Sequence, residues 1–400
     1  MHDGPLVIPA RRALCVAILI GALGPGCWAR NCPHIVDNRC EDPSGDAGGP
    51  GASSAGCAGA GTPTCDAGRQ CTAHTSCESN ACLPDGTCAA EADVAYVEAG
   101  APDPTPCSKA TPCGQVATAL ATGKHYIKLH GTIDEGVTVD GGRSVTLLGD
   151  PGATLTRRSG AGPVVLATGT GTMLSIYDLT IADAGNVGVV LASSSAPSVA
   201  LVRTAIQNND GGGISVAGGS LTIAQSTISG NLGGGVAVLQ SGRFDIVDSV
   251  FAANGGPDTA TGAIAIAASP AAGNRLEFNT FYHNLAQDGV GAAIQCSAGS
   301  FVARNNILFH NGALSTPQQI GGSCDHAYSI VQPGVLPPGP GNQSADPRFV
   351  DPDASDFHLR PGSPAIEASD PSSDLSGATA RDHDGVARAR PATIGAYQPR

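Results

Sequence analysis

The sequence predicts an all-β chain whose main domain is a right-handed parallel β-helix: a solenoid of about nine coils, entered through a short N-terminal capping helix and preceded by a disulfide-rich stalk. Three observations predict it. First, G-G-G-I-S-V-A-G-G-S-L-T-I-A-Q-S-T-I-S-G-N (Gly211 to Asn231) returns 22 residues later as G-G-G-V-A-V-L-Q-S-G-R-F-D-I-V-D-S-V-F-A-A-N (Gly233 to Asn254). Second, the apolar positions of this unit fall into three short columns, too short for amphipathic helices and suited to three strands per turn. Third, 55 Gly, 29 Pro and only 4% aromatic residues suit a stack of small and β-branched side chains with glycine at the corners better than a two-layer core. The net charge of −13 and a pI near 5.0 argue against a nucleic-acid partner, which would call for a basic patch.

The elements follow in chain order. Residues 1–26 read as a signal peptide: Arg11 and Arg12 precede an apolar run from Ala13 to Leu23, about half of what a membrane span requires. The run ends Leu23-Gly24-Pro25-Gly26-Cys27, which resembles the lipobox of bacterial lipoproteins, although Leu23 stands four residues before the Cys where that motif has three. The resemblance implies a diacylglycerol on Cys27, with plain secretion as the alternative; either way the protein is exported, to the outer membrane, the cell surface or the medium. Residues 27–56, rich in Asp, Gly, Ser, Ala and Pro, read as a flexible tether. Residues 57–91 then carry Cys57, Cys65, Cys71, Cys77, Cys82 and Cys88 at short intervals, a module too small for a core and therefore stapled. Of the 14 Cys, setting aside Cys15 and Cys27 leaves 12, enough for six disulfides in an oxidising compartment; a zinc site is the rival reading, but no Cys-x-x-Cys pair is present in the module. The pairing within it stays open.

Residues 92–345 are assigned to the solenoid and its cap. Cys107 and Cys113, assigned to disulfide bonding, flank a Pro-rich turn, and Gly114 to Thr122 reads as a helix with Val116, Ala119 and Leu120 on one side, covering an end that would otherwise expose unpaired backbone. The first column is Ile176, Leu201, Ile223, Ile246 and Leu276. The second, five positions later in each coil, is Ile181, Ile206, Ile228, Phe251, Phe281 and Leu308, and the third is Ile214, Val236, Ile264 and Ile294. Between the first two runs a polar series, Thr204, Ser226, Ser249, Asn279 and Asn306. A second, Asn209, Asn231, Asn254, Asn284 and Asn311, closes each coil. At roughly 4.8 Å per coil such side chains stack as hydrogen-bonded ladders. Cys296 and Cys324 lie about one coil apart and are assigned to one disulfide.

The segment from Ala92 to Arg400 resembles the bacterial right-handed parallel β-helix proteins of the pectin-lyase-like superfamily. Residues 346–400 carry the resemblance furthest: D-P-R-F-V-D-P-D-A-S-D-F-H-L-R-P-G-S-P-A-I-E-A-S-D-P and then D-H-D-G-V-A-R-A-R-P-A-T-I-G-A-Y, similar to a closing segment that usually ends Asp-Ile-Gly-Ala where this chain has Thr393-Ile394-Gly395-Ala396. The resemblance implies that this tail closes the solenoid and carries no chemistry. It also raises the prospect of a polysaccharide lyase, with a base and calcium, or of a glycoside hydrolase, with two carboxylates.

On the strand where the superfamily's catalytic residues would project, the outward positions are Ser215, Ala237, Ala265 and Gln295, none of which ionises. Charges stand on the next strand: Asp245 beside Arg275, Glu277 beside Arg304, and Asp178 one coil from Arg203. A solvated ladder of ion pairs is the simpler reading. The catalytic or sugar-binding reading is a cluster of Arg203, Asp245, Asp248 and Arg275 lining one cleft, under a loop from the long coil between Asn254 and Leu276. Asp346, Asp351, Asp353, Asp356, Asp382 and Asp384 would be the candidates for calcium, though no calcium-loop motif is present and no other cofactor is implied. The expectation is a monomeric, non-catalytic protein held to a membrane only through its lipid, presenting an elongated face to a polysaccharide or another envelope component. The alternative is a carbohydrate-active lyase or hydrolase.

Overall fold

The computed structural model describes residues 68–192, 196–239, 241–268, 273–297, 301–312 and 317–399, together with the backbone of two short strands, His34–Val36 and Arg39–Glu41, which pair antiparallel within the expected tether. Cys15, Cys27, Cys57 and Cys65, and with them the expected signal peptide and the expected lipidation site, lie outside the described residues.

Three parallel sheets wrap a single core. Sheet A has ten strands, from Val94–Glu98 to Asp325–Ala327; sheet B has nine, from Thr132–Asp134 to Ile330–Gln332; sheet C has eight, from Val137–Val139 to Ile320–Gly322. The shortest sheet sets eight complete turns, against the nine expected. The columns stack in the anticipated register. Ile176 pairs with Leu201, Leu201 with Ile223, Ile223 with Ile246 and Ile246 with Leu276 in sheet A, and Ile181, Ile206, Ile228, Phe251, Phe281 and Leu308 do the same in sheet B. All of these side chains are fully buried.

Both polar ladders form inside this core. Each Asn of the corner series donates through Nδ2 to the Oδ1 of the next: Asn209 to Asn231 at 2.8 Å, Asn231 to Asn254 at 2.9 Å, Asn254 to Asn284 at 2.9 Å and Asn284 to Asn311 at 2.7 Å. The ladder ends on Gln319, whose Oε1 accepts from Asn311 at 2.7 Å while its Nε2 donates to the carbonyls of Gln332 and Pro333. The second ladder runs from Thr204 through Ser226, Ser249, Asn279 and Asn306, and extends to Ser329. Each of its rungs follows a residue in the left-handed region, from Arg203 (φ 50) through Phe278 (φ 57) to Tyr328 (φ 48). That conformation is disfavoured for bulky residues, and the same bend at Asp178 (φ 55), ahead of the apolar Leu179, shows that it belongs to the coil geometry on which the ladder is built.

Helix α1, Val116–Ala121, buries Val116, Ala119 and Leu120 against the first coil, as the sequence predicts. The Glu135 carboxylate accepts from the backbone N–H groups of Val116 (2.8 Å) and Ala117 (2.9 Å), fastening its N-terminus to the solenoid. Among the described residues the disulfides are Cys71–Cys82, Cys77–Cys88, Cys107–Cys113 and Cys296–Cys324.

Two segments take positions that their spacing does not reveal. Residues 68–91 dock on the flank of sheet A, where Ala81 and Ala89 pack with Val94, Tyr96 and Leu148 and the Tyr96 hydroxyl donates to the Ser79 carbonyl at 2.6 Å. The tail closes a side of the solenoid and not its end. Phe349, Phe357, Leu359, Ile394, Ala396 and Tyr397 cover the outer face of sheet B, packing on Val250, Tyr282, Ile307, Phe309 and Ile330. The physical reason is legible in those strands, which are apolar on both faces and so require a second layer. The C-terminal end is covered instead by the chain after Gln332, where Tyr328 N–H donates to the Pro340 carbonyl and Gln343 N–H to that of Ser329.

That last coil holds His326 at 1% exposure, with neither ring nitrogen hydrogen-bonded. Burial pushes its pKa down to about 4. The native state thus keeps the ring neutral while the unfolded chain takes a proton below about 6.5, so His326 leaves stability intact above that pH and erodes it between about 6.5 and 4, by roughly 3 kcal/mol at most. Urea titrations at pH 7 and 5 should show His326→Phe losing less stability than wild type on acidification; an unchanged pH dependence would place the ring in contact with water.

Candidate functional site

The four residues singled out as a cluster occupy three separate places. Arg203 forms a bidentate pair with Asp178, at 2.6 and 2.7 Å, on the bend between sheets A and B. Arg275 forms another with Asp245, at 2.7 and 2.9 Å, on the open face of sheet A. In both arginines the carboxylate hydrogen bonds are the leading cause that raises the guanidinium pKa. Asp248 is absent from the surface altogether: its side chain and that of Arg388 are fully buried, with Arg388 Nε 2.9 Å from Asp248 Oδ1. Desolvation pushes the Asp248 carboxyl up to about 7, with the guanidinium opposing the shift.

The pair expected between Glu277 and Arg304 is replaced as well. The strands place them side by side, but the tail intervenes. Glu277, at 4% exposure, accepts from Ser373 Oγ and from Asn305 Nδ2, while Arg304 turns to Asp370 at 3.0 Å. Desolvation leads in raising the Glu277 pKa. The tail acids are engaged locally: Asp382 accepts from the N–H groups of Asp384, Val386 and Gln398, Asp353 from the Tyr282 hydroxyl, and Asp356 and Asp384 hold His358 between them at 2.6 and 2.9 Å. On sheet C, Ser215, Ala237, Ala265 and Gln295 stack in register as anticipated, and the Gln295 side chain accepts from the Gly291 N–H.

A concave site lies where the disulfide module meets the A–B bend. This cleft of about 690 Å³ is walled by Cys71, Ala73, His74, Leu83 and Pro84 on the module and by Asp150, Pro151, Asp178 and Arg203 on the coils. Asp150 on that wall is paired with Lys128, which does not line the cleft: Lys128 Nζ sits 2.8 Å from Asp150 Oδ1 at 2% side-chain exposure. Desolvation lowers the Lys128 pKa, and Asp150 opposes the shift. His74 Nδ1 accepts from the Cys82 N–H at 3.0 Å, so in the neutral ring the proton resides on Nε2, which faces Asp178 Oδ2 at 4.0 Å. Burial first, and then the charge on Lys128, lower the His74 pKa and favour that neutral form.

His74, Lys128 and Asp150 were not singled out in the sequence. Lys128 did carry a signal, a lone cation within the apolar strand Tyr126-Ile127-Lys128-Leu129. His74 carried none, because nothing in its spacing shows where the module docks.

A family model described as a right-handed beta helix region matches residues 164–329. Together with the three-sheet geometry, it shows a right-handed parallel β-helix. Among solved structures, the crystal structure of pectate lyase Pel9A is similar, with a TM-score of 0.45 at 12% identity over 77% of this chain and 96% of that one. The comparison with curated proteins gives no match.

Proposed function

We propose that this is an exported, non-catalytic β-helix protein, anchored through a lipid on Cys27, that binds a polysaccharide of the cell envelope or its surroundings. One observation carries the non-catalytic part. The charged residues that a catalytic reading would use are closed into bidentate ion pairs or buried beneath the tail, and the stacked face of sheet C offers no ionisable group. Each exposed pair contributes about 0.2–1 kcal/mol to stability, as surface pairs do. The polysaccharide part is supported by a rigid, elongated solenoid with a side cleft large enough for a small ligand.

The alternative, a carbohydrate-active lyase or hydrolase, has one specific observation in its favour. Lys128, with its lowered pKa, is paired with Asp150 of the cleft wall, and such a lysine serves as a general base where a substrate reaches it.

A single assay separates the two. Purified protein is incubated with acidic and neutral polysaccharides, with and without calcium, while ultraviolet absorbance of unsaturated uronates and product masses are followed; retention on immobilised glycans is measured in parallel. Retention without cleavage is expected. Cleavage that disappears in Lys128→Met would establish the enzyme instead.

A further inference from the structure

We propose that the cleft between the disulfide module and the A–B bend is the glycan site, that it takes an uncharged, polyhydroxylated segment, and that the module forms half of that site. This rests on the polysaccharide-binding reading and makes it specific.

Charge selects the ligand class. The charged side chains lining the cleft are each compensated, Asp178 by Arg203 within it and Asp150 by the buried Lys128, with His130 3.3 Å from the other Asp150 oxygen. A uronate or phosphate would meet two carboxylates, and the Nε–Nη2 edge of the Arg203 guanidinium, its bidentate fork, is already taken by Asp178. An anion therefore has little to gain there. Hydroxyl groups find the opposite situation. His74 Nε2–H donates, Asp178 and Asp150 retain free lone pairs, and Thr72, Thr75 and Thr180 line the same walls. The 4.0 Å between His74 Nε2 and Asp178 Oδ2 is too long for a hydrogen bond. One hydroxyl oxygen about 2.8 Å from each would accept from the ring and donate to the carboxylate. Leu83, Pro84, Pro151 and Ala205 add apolar surface suited to the C–H faces of sugar rings.

The module cannot be a passive spacer in this arrangement. It supplies His74 and one wall, and the Cys71–Cys82 disulfide at that wall spans the loop in which His74 sits.

The test compares the intact protein with variants on two oligosaccharide panels, one neutral (cellotetraose, mannotetraose, maltotetraose) and one acidic (tetragalacturonate), by calorimetric titration. Wild type is expected to bind a neutral member. His74→Ala and Asp178→Ala should each weaken that binding at least tenfold, and Ala73→Trp, which fills the cleft from an exposed position without removing a hydrogen bond of the wall, should abolish it. Asp245→Ala, on the open face of sheet A, should bind as wild type does. If wild type binds glycan but Ala73→Trp, with unchanged circular dichroism, binds equally well, the site lies elsewhere and only the cleft assignment falls. Preference for the acidic tetramer overturns the ligand class. Binding to no glycan on these or the polymer panels removes both the cleft assignment and the polysaccharide reading.

Discussion

Asn254→Ala is expected to destabilise the solenoid by about 3–5 kcal/mol, although it removes no apolar contact of note. The Asn254 side chain accepts from both the backbone N–H and Nδ2 of Asn231, and donates to the Ile228 carbonyl (2.8 Å) and to Asn284 Oδ1 (2.9 Å), all at zero exposure. Truncation leaves the Asn231 backbone N–H and one Nδ2 proton buried without partners and takes the side-chain donor from the Ile228 carbonyl, and each stranded group costs about 1–3 kcal/mol. A ladder is also shared, so the loss reaches the coils on either side. Ser198→Ala, which removes a single exposed hydroxyl contact with Ser220 on sheet A, provides the control and should cost no more than about 0.5 kcal/mol. The measurement is urea unfolding followed by far-ultraviolet circular dichroism. Equal midpoints for the two variants would mean that the ladder is bypassed by water.

Arg388→Met should be of similar size for a different reason. Arg388 is the pin of the tail: it reaches Asp248 on the solenoid, donates to the carbonyls of Thr393 and Gly395 within the tail, and lies 4.2 Å from the centre of the Phe278 ring. Removing the guanidinium strands a carboxylate in the core, which costs about 3–5 kcal/mol, whereas removing both charges is far milder. The double variant Asp248→Asn with Arg388→Met should therefore recover most of the loss. The pH dependence has a definite sign. The native Asp248 pKa lies above its unfolded value, so the folded state gains relative to the unfolded one as pH falls through about 7, and this gain is larger once Arg388 is gone. The deficit of Arg388→Met relative to wild type should accordingly shrink between pH 8 and pH 5. A deficit that stayed constant would show that solvent reaches Asp248. Since the tail covers sheet B, limited proteolysis should release residues near 346–400 sooner in this variant than in wild type.

Repetition explains what the residues reveal and what they conceal. A coil stacks only on its neighbours, so every inward position must match the one above and below it, and the match is written into the chain as a period. Thus the columns through Ile176, Ile181 and Ile214, both ladders, and the disulfide between Cys296 and Cys324 could be read from spacing alone, as could the apolar side of α1. The ladder ends were harder. Gln319 and Ser329 terminate their series with a change of residue type or phase, and each is recognised only once its hydrogen bonds are placed.

Outside the repeat there is no period to read. Asp248 and Arg388 are 140 residues apart, and nothing local to Asp248 marks it as fully buried while Asp245, three residues earlier, stays partly exposed. The same holds for His74 and Asp178, which meet because a module held by two disulfides settles on the early coils. The amino-acid sequence by itself thus determined a three-sided solenoid, its register and its internal ladders, because nearest-neighbour stacking makes those local facts repeat along the chain. Only the tertiary structure decided which side of that prism the tail covers, which charges it buries and where a cleft opens, because non-repeating segments come to rest by surface complementarity between residues far apart in sequence.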